Sequence, residues 1–165
     1  GWNRINDKII RVGAVTDDTF ELEGIDTTDT EIYPTGSGAD SVRRITGWIQ
    51  IQQVTNLETS GGEMQFAEYS FLENDYNSQI PTTKSAQSMT LTIGDDPSLP
   101  GYKKLQKVAE TRKKWAVRFW MPDKSEILYN GYISFNETPS TTKDEIMTVT
   151  ATVSLIVPPL RYAGA

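Results

Sequence analysis

Between Met147 and Leu155 apolar and hydroxyl-bearing side chains alternate without a break. Met147, Val149, Ala151, Val153 and Leu155 fall on one side, and Thr148, Thr150, Thr152 and Ser154 on the other. That period of two suits a half-buried β-strand and no helix, because successive side chains of an extended chain point to opposite faces. Met89, Leu91 and Ile93 repeat it around Thr90 and Thr92. Trp115, Val117, Phe119 and Met121 alternate with Ala116, Arg118 and Trp120, and after the turn at Pro122-Asp123-Lys124-Ser125 the pattern resumes through Phe135 as a hairpin. Gly131, inside the returning strand, marks a bulge or a close backbone approach. Thr138 to Thr142 is predicted as a loop, and Pro158 and Pro159 stop the last strand. The chain is predicted to be mainly β.

Further elements follow from local chemistry. From Ile9 to Ile32 short strands are expected, broken at Thr16-Asp17-Asp18 and at Gly24-Ile25-Asp26, and the polar stretch from Pro34 to Asp40 reads as a loop or hinge. Residues 45–72 read as one long β-hairpin with Gly61 and Gly62 as its tight turn, so that Leu57 faces Phe66, Ile51 faces Leu72, Val54 faces Tyr69 and Asn56 faces Ala67. Both faces of this ribbon are half polar and it exceeds the usual strand length, so it needs partners for its open edges. Residues 73–88 carry no apolar period and are expected to form a contact loop. One amphipathic helix is predicted over 98–114, with Asp95 and Asp96 as capping residues. Leu99, Tyr102, Leu105, Val108 and Ala109 form its inner face, and basic residues in the last turn complement the helix dipole.

Composition excludes much chemistry. The 165 residues suit a single domain able to bury a core without a staple, and they include no Cys and no His. Disulfides, thiolate nucleophiles and Cys-ligated zinc are therefore absent, and any triad or metal site would lack its usual base or ligand. The acidic pairs Asp17/Asp18, Asp95/Asp96 and Asp144/Glu145 read as turn formers rather than as carboxylates spaced across a cleft. Asp26 to Glu31 lacks the Gly and the Glu that a calcium loop requires, and no phosphate-cradling glycine motif occurs. Neither catalytic nor metal residues nor a cofactor is expected. No apolar run approaches the ~20 residues of a membrane span. Residues 1–97 hold 6 basic against 16 acidic residues and 98–165 hold 10 against 6. This asymmetry suits head-to-tail attraction between identical subunits, and equally suits two solvated faces.

The order of parts (polar ribbon, long loop, one helix, then KWAVRFWMPDKSEILYNGYISF and MTVTATVSLIVPP) resembles the major tail tube protein of long-tailed, non-contractile bacteriophages, above all in the aromatic, Pro-turn, Gly-containing hairpin from Trp115 to Phe135. The resemblance covers about residues 45–158. It implies a β-sandwich or incomplete β-barrel flanked by the helix, arranged as 1–44 N-terminal strands and loop, 45–72 hairpin, 73–88 contact loop, 98–114 helix and 115–157 C-terminal strands. It further implies a virion protein made in the bacterial host cytoplasm. Six copies close into a ring, rings stack into a tube, DNA passes through without specific binding, and the tape measure, tail terminator and distal tail proteins are partners. On that basis Gln50, Gln52, Glu58, Glu63 and Glu68 are candidates for the lumen wall, with the inward face of the ribbon open, and Asp75, Tyr76, Ile80 and Lys84 for an inter-ring contact. A secretion-type tube or tail-completion ring shares these features. A glycan-binding module or carboxylate-based glycan hydrolase is the other class, with Trp48, Trp115 or Trp120 as its platform, although burial is the expected fate of all three.

Overall fold

The structure is a computed structural model that describes residues 2–36 and 41–164. Ten strands and one helix follow in order: β1 Val12–Val15, β2 Phe20–Leu22, β3 Val54–Ser60, β4 Met64–Tyr69, β5 Ser78–Lys84, β6 Ser88–Gly94, α1 Pro100–Thr111, β7 Lys114–Trp120, β8 Glu126–Ser140, β9 Thr148–Leu155 and β10 Leu160–Tyr162. The fold is mainly β, a curled sheet forming an incomplete barrel with α1 against it. Across the sheet the antiparallel neighbours run β3, β6, β9, β8, and β7 pairs with the first half of β8. The short β10 pairs with Glu126–Leu128 of β8, following β9 after the interruption at Pro158 and Pro159. No alternation signals a three-residue strand, so β10 escapes a reading by periodicity.

The core is the apolar half of the two-residue period. Met89, Leu91 and Ile93 of β6 lie opposite Val153, Ala151 and Val149 of β9, and all six are buried with Tyr102 and Leu105 of α1 and Tyr129 of β8. The Tyr102 ring meets Phe135 edge to face at 4.9 Å. Burial, and then its hydrogen bond to Asp95, pushes the Tyr102 phenol up. Gly131 is the close approach that its sequence position suggests: a Cβ there would lie 2.3 Å from the Ser154 carbonyl oxygen on the neighbouring β9.

Several boundaries differ from expectation. The helix spans Pro100–Thr111, and its N-cap is Leu99, with no side-chain cap. Asp96 instead accepts hydrogen bonds from the Ser98 backbone NH (3.0 Å) and hydroxyl (2.6 Å), an Asx turn that leads into the helix, and these hold its carboxyl below the usual range. The basic residues expected in the last turn fall outside it, because Arg112 takes the left-handed C-cap position. β8 runs on to Ser140 through the stretch predicted as a loop. Residues 45–53 are not in a strand, since no neighbour in the chain pairs with them. Part of the Pro34–Asp40 loop, 37–40, lies outside the described residues.

The N-terminal hairpin β1–β2 turns where the Thr16-Asp17-Asp18 signal places it and is fastened to the sheet by polar contacts. Arg11 donates to both carboxylate oxygens of Glu23, reaches Glu126 of β8 at 3.3 Å, and stacks 4.7 Å over the Tyr162 ring. Asp7 accepts from Lys114 at 2.9 Å. Hydrogen bonding to Arg11 lowers the Glu23 carboxyl pKa.

Two outcomes test this packing. Gly131→Ala is expected to destabilise the fold by about 1–3 kcal/mol, read as a lower urea midpoint with unchanged slope, because the added methyl meets backbone and not a flexible side chain. The Arg11–Glu23 contact stabilises above the ordinary carboxylate range and is lost as pH falls through the lowered Glu23 pKa. Thermal stability of the native chain is therefore expected to fall below about pH 4, and Arg11→Gln is expected to flatten that part of the profile.

Candidate assembly surface

The long ribbon exists, but its turn is elsewhere. β3 and β4, on either side of Gly61 and Gly62, do not pair with each other: β3 pairs with β6 and β4 with β5. Ser60 lies opposite Ser88, and four residues further along each chain Met64 lies opposite Lys84, so one register continues past the glycines. Gly62 NH donates to the Ser85 carbonyl and Ser85 NH to the Glu63 carbonyl, bridging the interruption at 3.3 and 2.9 Å. The ribbon is thus 54–94, with its tip between Tyr69 and Ser78, and the pairings of Leu57, Ile51, Val54 and Asn56 with Phe66, Leu72, Tyr69 and Ala67 do not occur. A Gly-Gly pair supplies positive φ, and a strand kink uses it as readily as a turn does. Both glycines have φ above +80°, and a Cβ on Gly61 would lie 1.9 Å from the Ala86 carbonyl oxygen.

Beyond the kink, β4, the tip and β5 form an arm with almost no cover. Phe66, Tyr69, Phe71, Tyr76 and Ile80 are exposed, and Leu72 reaches 109% of its reference area. Phe66 and Pro81 share one face, Ala67 and Ile80 the other, so neither side has a core beneath it. The contact residues expected in a loop divide here: Asp75 and Tyr76 sit at the tip, Ile80 and Lys84 on β5. Strand pairing replaces the expected structureless loop from Ser78 onward.

The second surface is the face of the main sheet turned away from α1. Cross-strand rows place Glu58, Thr90, Thr152 and Ser134 side by side, then Asn56, Thr92, Thr150 and Asn136. Ser60 and Ser88 hydroxyls meet at 2.8 Å, and Asn56 Nδ2 donates to Glu58 Oε1 at 2.8 Å. These two rows carry one carboxylate, no cation and no aromatic ring. Of the candidate wall residues, only Glu58 lies on this face. Gln50 and Gln52 lie in the extended segment before β3, Glu63 at the kink, and Glu68 on the arm, where Gln79 Nε2 donates to it at 3.0 Å. The structure does not bring the five together. The threonines and asparagines of the sheet face were legible as the polar half of the alternation that located the core.

The three tryptophans are less buried than expected. Trp120 is 59% exposed and Trp48 39%, with the Arg118 guanidinium stacked 5.0 and 4.7 Å over their rings. Trp115 is half-buried and donates its indole NH to Thr111 Oγ1. An arginine shared between two rings partners them without a core.

The matched family is described as phage tail tube protein, TTP, and its model spans residues 1–164 of this chain. A search of curated proteins returns no match. Gly61→Val is expected to leave the helix and sheet signals in far-ultraviolet circular dichroism intact while redirecting the arm, read as a changed proteolytic pattern between Met64 and Lys84.

Proposed function

Because the chain belongs to the phage tail tube protein family, a structural and non-enzymatic family of the virion tail, we propose that it closes into six-membered rings, that these stack into the tube, and that the Thr- and Asn-rich sheet face lines the lumen through which DNA leaves. The observation that carries this reading is the pair of cross-strand rows headed by Glu58 and Asn56. A bore that must release a polyanion needs a wall with no cation to hold phosphates and few exposed rings to stack bases, and these two rows carry neither, the Tyr132 ring lying one row away beside Ser154 and Ser88.

Ring closure follows from the open edges. β3 has β6 on one side only, and the stretch of β8 from Ile133 to Ser140 has β9 on one side only, among the described residues. Joining the β3 edge of one copy to that β8 edge of the next continues the sheet between subunits and satisfies both edges. Each copy then contributes four strands. At a spacing of about 4.8 Å and a tilt of about 40°, six copies enclose a barrel about 48 Å across its backbones, which leaves roughly 40 Å between side chains. Three copies leave only about 14 Å on the same arithmetic, too narrow for a DNA duplex. The arm, carrying Asp75, Tyr76 and Ile80 on an apolar ribbon, is the contact to the adjacent ring. The tube's ends meet the tape measure, terminator and distal tail proteins.

Negative-stain electron microscopy and light scattering of the purified protein, before and after concentration, test this. Hollow tubes of regular axial repeat, with sixfold end views, are expected. Discrete rings that never stack favour a tail-completion or secretion-type ring, and a chain monomeric in every condition refutes the assembly. Substituting the wall with cations, Thr92→Lys with Thr150→Lys, is expected to leave tubes intact and to impair DNA release in infectivity assays by about tenfold or more.

A further inference from the structure

Residues 41–50 are exposed and Ile51 is half-buried, yet residues 41–53 join no strand, and among the described residues no backbone hydrogen bond forms to any of residues 41–52. Their sequence reads as a strand, with Val42, Ile45 and Ile49 left 74, 40 and 52% exposed. At its end this strap is anchored by Ile51, which packs against the core, and by the Gln53 carbonyl, which accepts from the Gly94 NH at 3.0 Å, and two further contacts hold it against the subunit. Gly101 in the first turn of α1 admits its backbone, where a Cβ would lie 2.6 Å from the Gln50 carbonyl oxygen, and Arg118 stacks on Trp48. An extended segment of strand-forming residues with free amides and carbonyls is half of a β-ladder.

We propose that the other half is the arm of a second copy: the strap of one subunit pairs as an added strand with an open edge of the β4–β5 arm of a subunit in the adjacent ring. Charge favours this occupant. The strap carries Arg43 and Arg44 and no acid, whereas the arm, 64–84, carries Glu68, Glu73 and Asp75 against one base, Lys84 at its foot. Apolar surface favours it as well, since both segments expose Ile or aromatic side chains that neither buries alone. Strap and arm join β3 at its opposite ends, about 20 Å apart, and such a contact between copies is heterologous, so it propagates along a stack instead of closing on itself. The inference rests on the tube-forming reading and adds the receiving element for the arm.

Hydrogen exchange of the native protein, monomeric and assembled, tests it without any variant. Amides of 42–49 and of the arm are both expected to slow by about a hundredfold or more on assembly. Tubes in which the arm slows but 42–49 exchanges as in the monomer overturn the pairing while leaving the tube reading intact. A chain that never assembles overturns both. Arg43→Glu with Arg44→Glu, and separately Glu73→Lys with Asp75→Lys, are each expected to raise the concentration for half-assembly by about tenfold or more, and combining all four is expected to restore most of it. Failure of the combination to recover any assembly, with circular dichroism unchanged, also overturns the pairing.

Discussion

The pairing of β6 with β9 is the constraint on which the rest of the structure depends. Seven consecutive residue pairs hold these strands in register, and on one face the pairs are Met89–Val153, Leu91–Ala151 and Ile93–Val149, all buried. A slip of one residue turns this whole apolar set outward and the threonines inward, so the register is strongly specified. α1 covers the apolar face through Tyr102 and Leu105, and β3 and β8 extend the sheet on either side. Because the period is two, burying the apolar face in the core presents the hydroxyl-rich face on the other side, and the same side-chain alternation that stabilises the subunit supplies the surface proposed for the lumen.

The subunit keeps little apolar surface for itself outside this core. The arm and the strap together expose Phe, Tyr, Leu, Ile and Trp side chains on segments with open backbone edges, a combination that single soluble chains generally avoid. This is the surface that the proposed assembly would cover: the core specifies the subunit, and the uncovered segments are the ones proposed to pair between copies. The N-terminal hairpin is held differently, by Arg11 bridging Glu23, Glu126 and the Tyr162 ring, so β1 and β2 are tied to the sheet through polar contacts.

Legibility in the sequence followed how local each signal was. The Pro122–Ser125 hairpin, the close approach at Gly131, the β1–β2 turn and the existence of one helix all rest on residues within a few positions of one another, and each appears in the structure. The helix boundaries shifted because Ser98 bonds Asp96 ahead of the cap. β10 went unforeseen because three residues hold no period. The apolar alternation around the tryptophans suggests burial, whereas Arg118 accommodates Trp48 and Trp120 at the surface.

By itself the sequence determined that this protein is a mainly β chain with a core built on alternation, without Cys- or His-based chemistry, and with a ribbon in excess of what its own core can cover. These conclusions need only side-chain periodicity and composition. The partner of each strand was decided by tertiary structure alone. Gly61 and Gly62 are compatible with a turn or a kink, since positive φ serves both, and only the continued register from Ser60–Ser88 to Met64–Lys84 selects the kink. Likewise Gln50 and Glu58 look alike along the chain, yet one lies in an unpaired strap and the other on the sheet face, because hydrogen-bond partners far apart in sequence determine which extended segment becomes a strand.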